Sequence, residues 1–318
     1  MRARDNYYAE IEQAVAPLLA DVRYQGGPLS HQSVALIASQ LGFSVHHVHD
    51  LPQSTRSVTD TKNGKIYVPL AGTGTHDPRA VVLQTLGHFV LGHADPTSYG
   101  DFLRQRVEAN YFAAAVLMPE DEAVAFLLGM KSERDIAIED LRDLFAVSYE
   151  TAAHRFTNLV THHLGLPVHL SRGDASGRIY KAYENDGLQF PVDVTGAIEG
   201  QVSCRAWAAR TVFAAPDKFS AFAQYTDTPA GTFWCVAQAE QTPGGEFAIN
   251  IGVPYVHAKW FRGRGHHAPH DVDVSGHVLL PAAAARADGA VARPCVALRE
   301  GTFPHARRDA VGDVPRCG

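Results

Sequence analysis

Two polar side chains one helical turn apart, Gln84 and His88, are the residues of this chain whose spacing most suggests chemistry. Zinc peptidases carry the pattern His-Glu-x-x-His, in which two imidazoles bind the metal and the glutamate activates water. Counting back from His88, Gln84 takes the place of the first histidine and Thr85 that of the glutamate. A neutral amide is a poor zinc ligand, and a threonine hydroxyl cannot take a proton from water near neutral pH. The pattern therefore predicts a peptidase-like helix without catalytic residues and without bound zinc.

The sequence also marks the two ends of this helix. Asp77 is suited to the N-cap and Pro78 to the first helical position, whereas Gly92 is typical of a helix end. His93 follows His88 by five residues, which is about 140° round a continuous helix. We therefore expect His93 to cap the helix and not to share the face of His88.

The segment around this helix resembles a known family. The matching residues are Leu86-Gly87-His88, Leu91-Gly92-His93 and Glu108-Ala109-Asn110-x-Phe112-Ala113-Ala114-x-x-Leu117-Met118-Pro119. They are similar to the ImmA/IrrE metallopeptidase family, in whose active members the glutamate that matches Glu108 is the third metal ligand. The resemblance implies that Gln84, His88 and Glu108 form a vestigial metal site. Residues 147–159 resemble the helical segment that follows the peptidase fold in this family.

The second half of the chain resembles a more specific group. The matching residues are Arg172-Gly173-Asp174-x-x-Gly177-x-x-x-Lys181, Phe190-Pro191, Cys204-x-x-Trp207, Phe247-Ala248-Ile249-x-Ile251-Gly252 and His257-Ala258. They are similar to the short-chain fatty acyl transcriptional regulators of the PrpR and RamB type. That resemblance implies a sensor of CoA or a short acyl-CoA, a homodimer, and DNA contact only through a helix-turn-helix domain that this chain does not contain.

An acyl-CoA ligand sets requirements that the sequence can be searched for. Its pyrophosphate and 3′-phosphate need arginine and lysine, and its adenine and acyl chain need an aromatic or apolar slot. The candidate ligand-binding residues are Tyr111, Arg172, Lys181, Lys62, Lys65, His257 and Lys259. The run 257–267 mixes basic and aromatic residues, and it is consistent either with a cradle for an anion or with a solvated loop.

Two other functions and one cofactor remain to be weighed. A zinc peptidase that cleaves a repressor would need an unusual ligand set and a new general base. A structural dimerisation domain would bind no small molecule. The regulator family is associated with an iron–sulfur cluster, but a [4Fe–4S] cluster needs four thiolates. Only Cys204 and Cys295 fall near suitable positions, so we expect no cluster.

Composition and charge bear on nucleic-acid binding and on the cellular location of the protein. The chain has 318 residues, a net charge of −6 and a pI near 6.3, which argues against a broad nucleic-acid-binding surface. Residues 138–159 have helix-turn-helix spacing, but the stretch 133–159 carries more acidic than basic residues, so we expect it to be a packing or dimer element. No apolar run is long enough to span a membrane and no signal peptide is visible, which predicts a cytoplasmic protein.

The element pattern predicts an α+β fold. Residues 1–118 are expected to form a degenerate, zincin-like peptidase domain, 119–165 a helical segment and 166–318 a mixed α/β sensor domain with a possibly GAF-like fold. Helices are predicted at about 3–23, 31–41, 78–91, 100–118, 120–130, 135–145 and 149–163. Strands are predicted at 43–48, 65–68, 168–170, 178–183, 233–237 and 246–251, with a hairpin at Asn63-Gly64.

Overall fold

A computed structural model describes residues 4–52, 55–70, 77–242 and 244–265 of the chain. Its α-helices are α1 (Ala9–Asp21), α2 (His31–Gln40), α3 (Pro78–Val90), α4 (Tyr99–Leu117), α5 (Glu120–Glu133), α6 (Ile138–Phe145), α7 (Tyr149–Leu164) and α8 (Ala208–Thr211). Its strands are β1 (Ser44–Val48), β2 (Val58–Asp60), β3 (Lys65–Pro69), β4 (His169–Gly173), β5 (Ile179–Glu184), β6 (Phe222–Thr228), β7 (Gly231–Thr242) and β8 (Gly245–Pro254). The predicted α+β class is confirmed.

A small sheet and the first four helices enclose one apolar core. The strand order is β1-β3-β2, with β1 parallel and β2 antiparallel to β3. Asp60 pairs with Lys65 beside the turn, and Gly64 adopts a positive φ of 61°. The hairpin predicted at Asn63-Gly64 is therefore confirmed. Helices α1 to α4 contribute most of the remaining buried side chains of this core, and Tyr8 and Leu29 lie just before α1 and α2.

Helices α3 and α4 approach each other closely at Gly87. A β-carbon at this position would lie 2.9 Å from Cδ1 of Phe112 and 3.4 Å from Cα of Ala109. Because Gly87 has no side chain, the backbone of α3 can pack directly against the Phe112 ring of α4. This contact sets the distance between the His88 end of α3 and the Glu108 turn of α4.

The second sheet has five antiparallel strands in the order β5-β4-β8-β7-β6. Its outer face is formed by residues such as Leu170, Ile249 and Val236, which pack against α5, α6 and α7 in a second apolar core. Its inner face, which includes Cys235 and Ala237, packs against α8 and the segment around it in a third core.

Most elements agree with the sequence prediction, and three depart from it. The short helix α8 was not predicted. Helix α1 begins at Ala9 and not near residue 3. Strand β6 was not predicted, because this edge strand mixes polar and apolar residues and buries none of them fully. The structure does not test the predicted domain limits at 118 and 165. Among the described residues no helix is long and apolar enough to cross a membrane.

Candidate functional site

The peptidase-like helix α3 starts where its sequence predicts. Asp77 accepts a hydrogen bond from the backbone N–H of Arg79 at 2.9 Å, and Pro78 occupies the first turn. Gln84 and Thr85 are both partly buried on this helix. The Thr85 hydroxyl lies 3.2 Å from the Val81 carbonyl, to which it donates. The Thr85 hydroxyl thus bonds to the backbone of its own helix.

A chain of polar contacts joins the C-terminal end of α3 to the middle of α4. His93 Nδ1 lies 2.9 Å from His88 Nδ1, and His93 Nε2 lies 2.9 Å from Glu108 Oε2. Arg104 donates to the same Glu108 oxygen at 2.7 Å. Glu108 therefore faces His88 through His93, and no direct contact joins the two.

The expectation that His93 lies away from His88 was wrong. Its backbone N–H does bond to the His88 carbonyl at 2.9 Å, as expected of a cap. However, Gly92 takes a left-handed conformation with φ of 64°, which turns the chain back and brings the His93 ring against His88. Helical periodicity no longer applies after Gly92, so the position of the His93 ring could not be predicted from the residue spacing.

His88 is held in a setting that favours its neutral form. Burial, and next the charge of His93, lower the pKa of His88 below its usual value. In the described part of the chain, no group of three or more His, Cys, Asp or Glu side chains could hold a metal ion. His88 and His93 thus form a hydrogen-bonded imidazole pair at the C-terminal end of α3.

Arg172 and Lys181, two of the predicted ligand-binding residues, lie next to each other. They are direct partners in the register of β4 and β5. Both contact Glu150 in the first turn of α7: Lys181 Nζ at 2.6 Å from Oε1 and Arg172 Nε at 3.3 Å from Oε2. The Arg172 guanidinium also lies 3.8 Å from the ring centroid of Phe247, a cation–π contact that fixes its plane.

The N-terminus of α7, which lies beside Arg172 and Lys181, attracts negative charge. Ser148 caps α7 through the N–H of Thr151 at 3.1 Å, and the N-terminus of a helix favours an anion. Burial opposes ionisation of Glu150, but contacts with His154 and Lys181 outweigh it and lower the Glu150 pKa far below its usual value. Glu240 on β7 is also close, and burial, with the charge of Glu150, raises its pKa. Glu150 is thus a firmly ionised carboxylate between two cations.

Comparison with known proteins bears on this arrangement. The family described as the IrrE N-terminal-like domain matches residues 78–157, from α3 into α7. This chain carries an IrrE-like domain. The propionyl-CoA carboxylase regulator of Cereibacter sphaeroides is 32% identical over 159 residues, which are 47% of this chain and 32% of that protein. The HTH-type transcriptional regulator RamB of Mycobacterium tuberculosis is 30% identical over 159 residues, 47% of this chain and 31% of RamB.

One solved structure supports the fold over most of the chain. A Mycobacterium tuberculosis transcriptional regulator superposes with a TM-score of 0.64 at 22% identity, covering 87% of this chain and 83% of that one. The resemblance to the short-chain fatty acyl regulators, predicted from the sequence, is confirmed. The chain matches about a third of the length of its curated relatives.

Tyr111, another predicted ligand residue, lies inside the IrrE-like domain. It is 4% exposed, and its hydroxyl donates to Glu12 at 2.5 Å. Arg155 donates to both oxygens of Glu12 and, from Nε, to the Met118 carbonyl. Because Arg155 is fully buried, the packing interpretation of residues 138–159 is confirmed at this position.

The remaining candidates lie on other elements. Lys62 is exposed in the β2–β3 turn and Lys65 is at the start of β3. His257 and Lys259 lie in the 3-10 helix that follows β8. Among the described residues, no hydrogen bond or ion pair joins any of these four to the Arg172–Lys181 pair.

The basic run 257–264 meets two further cations from α5 and its C-cap. Lys259, Lys131 and Arg134 surround the Trp260 ring at 4.9, 5.4 and 5.9 Å from its centroid. Burial, and next the charges of Lys259 and Lys131, lower the pKa of His257. Cys295, Cys317, His266, His267 and His270 lie outside the described residues.

Sequence reasoning missed Glu150 and Phe247. Glu150 is one of several acidic residues in its segment, and no motif distinguishes it. Only the packing of α7 on the sheet brings it to Arg172. Phe247 lies within an apolar run typical of a strand, so it gave no signal of a cation contact.

Proposed function

We propose that this chain is the ligand-sensing part of a bacterial transcriptional regulator of short-chain fatty acid metabolism, and that it binds CoA or a short acyl-CoA. The observation that carries the proposal is the Arg172–Lys181 pair at the N-terminus of α7, where both cations already bind a carboxylate. The curated relatives, which carry the names of regulators, support the regulatory half of the proposal.

The geometry suits a phosphate group. Arginine binds phosphate through its planar fork and lysine as a point charge, and the first-turn N–H groups of α7 add a positive dipole. The side chains of Arg172, Lys181 and Glu150 are 18%, 47% and 21% exposed. A ligand can therefore reach the cations from solvent.

Binding there would require Glu150 to give way. The carboxylate occupies both cations, so a ligand phosphate would replace it and release the first turn of α7 from β4 and β5. Helix α7 belongs mostly to the IrrE-like match, whereas Arg172 and Lys181 lie on the sheet. Exchange of Glu150 for phosphate would thus change the contact between these two parts, which is how a sensor could report its ligand.

Thermal unfolding with and without ligand tests this function. Saturating CoA at about a hundred times Kd adds roughly 2.7 kcal/mol of stability, which raises the Tm by several degrees in a chain of this size. CoA, acetyl-CoA and propionyl-CoA are compared, and mass spectrometry identifies any ligand that co-purifies. An unchanged Tm with all three and no co-purified CoA species would contradict the proposal.

A further inference from the structure

Residues 5–8, here called the N-terminal segment, lead into α1 and are bound to the side of α7. Asn6 is 2% exposed, and its side-chain amide donates to the Thr157 hydroxyl at 2.9 Å. The backbone carbonyl of Asn6 accepts from the side-chain amide of Asn158 at 3.0 Å. Thr157 and Asn158 are neighbours in the middle of α7. The segment is therefore bound to this helix through both a side chain and the backbone.

The backbone conformation of the N-terminal segment depends on such contacts. Asp5 and Asn6 are consecutive non-glycine residues with φ angles of 48° and 58°. Left-handed angles are uncommon outside glycine, although aspartate and asparagine adopt them more readily than other residues. They persist where the surrounding structure fixes them, and they cluster at switch regions. We therefore expect this conformation to be lost when the contacts with α7 are lost.

Tyr7 binds the same segment to the last turn of α7 and to the start of α5. Its ring stacks on that of His162, with 4.0 Å between the centroids and 7° between the planes. Its hydroxyl donates to Glu120 Oε1 at 2.6 Å. His163 Nε2 lies 2.7 Å from the same oxygen. Tyr7 therefore fits between the two helices only while α7 keeps its position.

Asn185, which directly follows β5, joins the N-terminal segment to the five-stranded sheet. Its side-chain amide donates to Asp5 Oδ1 at 3.2 Å and to the Thr161 hydroxyl of α7 at 2.9 Å. The same side chain accepts from the backbone N–H of Val168 at 2.8 Å, just before β4. The segment therefore lies where α7 meets the end of β5.

Helix α7 and strand β5 are thus joined at two places. Glu150 contacts Lys181 at the first place, and Thr161 contacts Asn185 at the second. At 1.5 Å per residue of helix and 3.3 Å per residue of strand, these places are about 16 Å apart along α7 and about 13 Å apart along β5. The helix therefore runs beside the strand, from the Arg172–Lys181 pair to the N-terminal segment.

Arg155 holds α7 between these two places. Its side chain is fully buried and donates to both oxygens of Glu12 and to the Met118 carbonyl. A rigid helix that is fixed near its middle and freed at one end can tilt, and its other end then moves as well. Loss of the Glu150 contact would therefore be felt at Thr161.

We propose that the N-terminal segment is a latch, closed while Glu150 binds Arg172 and Lys181 and released when a ligand phosphate takes the place of Glu150. The inference rests on the proposed function, which frees the first turn of α7. The tilt of α7 separates Thr161 from Asn185 and removes the fixed frame on which the left-handed conformation depends. The state of the ligand site is thus carried to the opposite end of α7.

Hydrogen–deuterium exchange of the intact chain, followed by mass spectrometry, tests the latch. The N–H groups of Tyr7 and Tyr8 are hydrogen-bonded in the closed segment, so a peptide that covers residues 5–8 reports its release. Glu150→Ala without ligand should speed exchange in this peptide on the order of tenfold or more. Glu246→Ala, which breaks a lysine pair away from α7, is the matched control and should leave it unchanged. CoA added to the wild type should act as Glu150→Ala does.

The outcomes separate the latch from the proposed function. Unchanged exchange at residues 5–8 in Glu150→Ala, or an increase no larger there than in β7 and β8, would overturn the latch. Lys181→Ala breaks the same contact from the strand and takes the place of Glu150→Ala if that variant does not fold. Saturable CoA binding by calorimetry with unchanged exchange at residues 5–8 would also overturn the latch. Faster exchange in the variant but no CoA binding would support the latch and contradict the proposed function.

Discussion

Arg172 lies directly opposite Lys181 in the register of β4 and β5, and the two cations share one carboxylate, Glu150. Lys218 contacts a different acid, Glu246, at 2.7 Å. Lys218 thus provides a lysine–glutamate pair away from α7. It is the control against which the role of the first pair can be measured.

Replacing Glu150 with glutamine should strengthen CoA binding. The change removes the charge that competes with phosphate for Arg172 and Lys181 but keeps the side-chain shape. One charge-assisted hydrogen bond is worth about 1.5–3 kcal/mol, so we expect an affinity on the order of tenfold higher or more. Calorimetry of Glu150→Gln and of the control Glu246→Gln measures it. Weaker binding by Glu150→Gln would mean that Glu150 contacts the ligand.

Part of this arrangement could be predicted from the sequence and part could not. Arg172 and Lys181 came from a resemblance, and α3 and α4 from caps and apolar spacing, since these signals are local. Glu150 and the His93–His88 contact could not be predicted. The first depends on how α7 packs on the sheet, and the second on a left-handed Gly92 that ends the helical period. Edge strand β6 was missed because few of its residues are buried enough to show alternation.

The purified chain should contain no stoichiometric zinc, and a double substitution should create a zinc site. Gln84→His with Thr85→Glu restores the His-Glu-x-x-His pattern on α3. Glu108 of α4 would have to leave His93 and Arg104 to become the third ligand. Elemental analysis after zinc loading compares this variant with Thr85→Glu alone. About one zinc per wild-type chain that disappears in His88→Ala would contradict the account.

The free energy of unfolding should decrease as the pH is lowered, because of His88. Its pKa is lowered in the folded state by burial and by His93, so the folded protein resists protonation that the unfolded chain accepts. Full stability is therefore present above about pH 6.5, the unfolded value, and is lost progressively as the pH falls below it. Urea unfolding at about pH 8 and about pH 5.5 should show a smaller loss for His88→Gln than for the wild type. An equal loss in the two proteins would remove His88 as the cause.

The buried Glu12–Arg155 pair should matter more than an exposed pair. Arg155 is 0% exposed and donates to both oxygens of Glu12. Arg155→Met leaves that carboxylate buried without its cation, which costs roughly 3–5 kcal/mol. The double variant Arg155→Met/Glu12→Leu removes both charges and should recover much of the lost stability. Chemical denaturation measures these variants, with Arg142→Met, from a more exposed pair with Asp143, as the control that should change stability little.

Calorimetric titration of CoA into the wild type, Arg172→Ala/Lys181→Ala and Lys218→Ala tests the central claim most directly. The account predicts saturable binding by the wild type and by Lys218→Ala. It predicts an affinity lower by about ten- to a hundredfold in the double variant, which loses charged partners of a phosphate. Acetyl-CoA and propionyl-CoA should depend on the pair in the same way. No binding of any of the three ligands to the wild type, or an unchanged affinity in a folded double variant, would contradict the account.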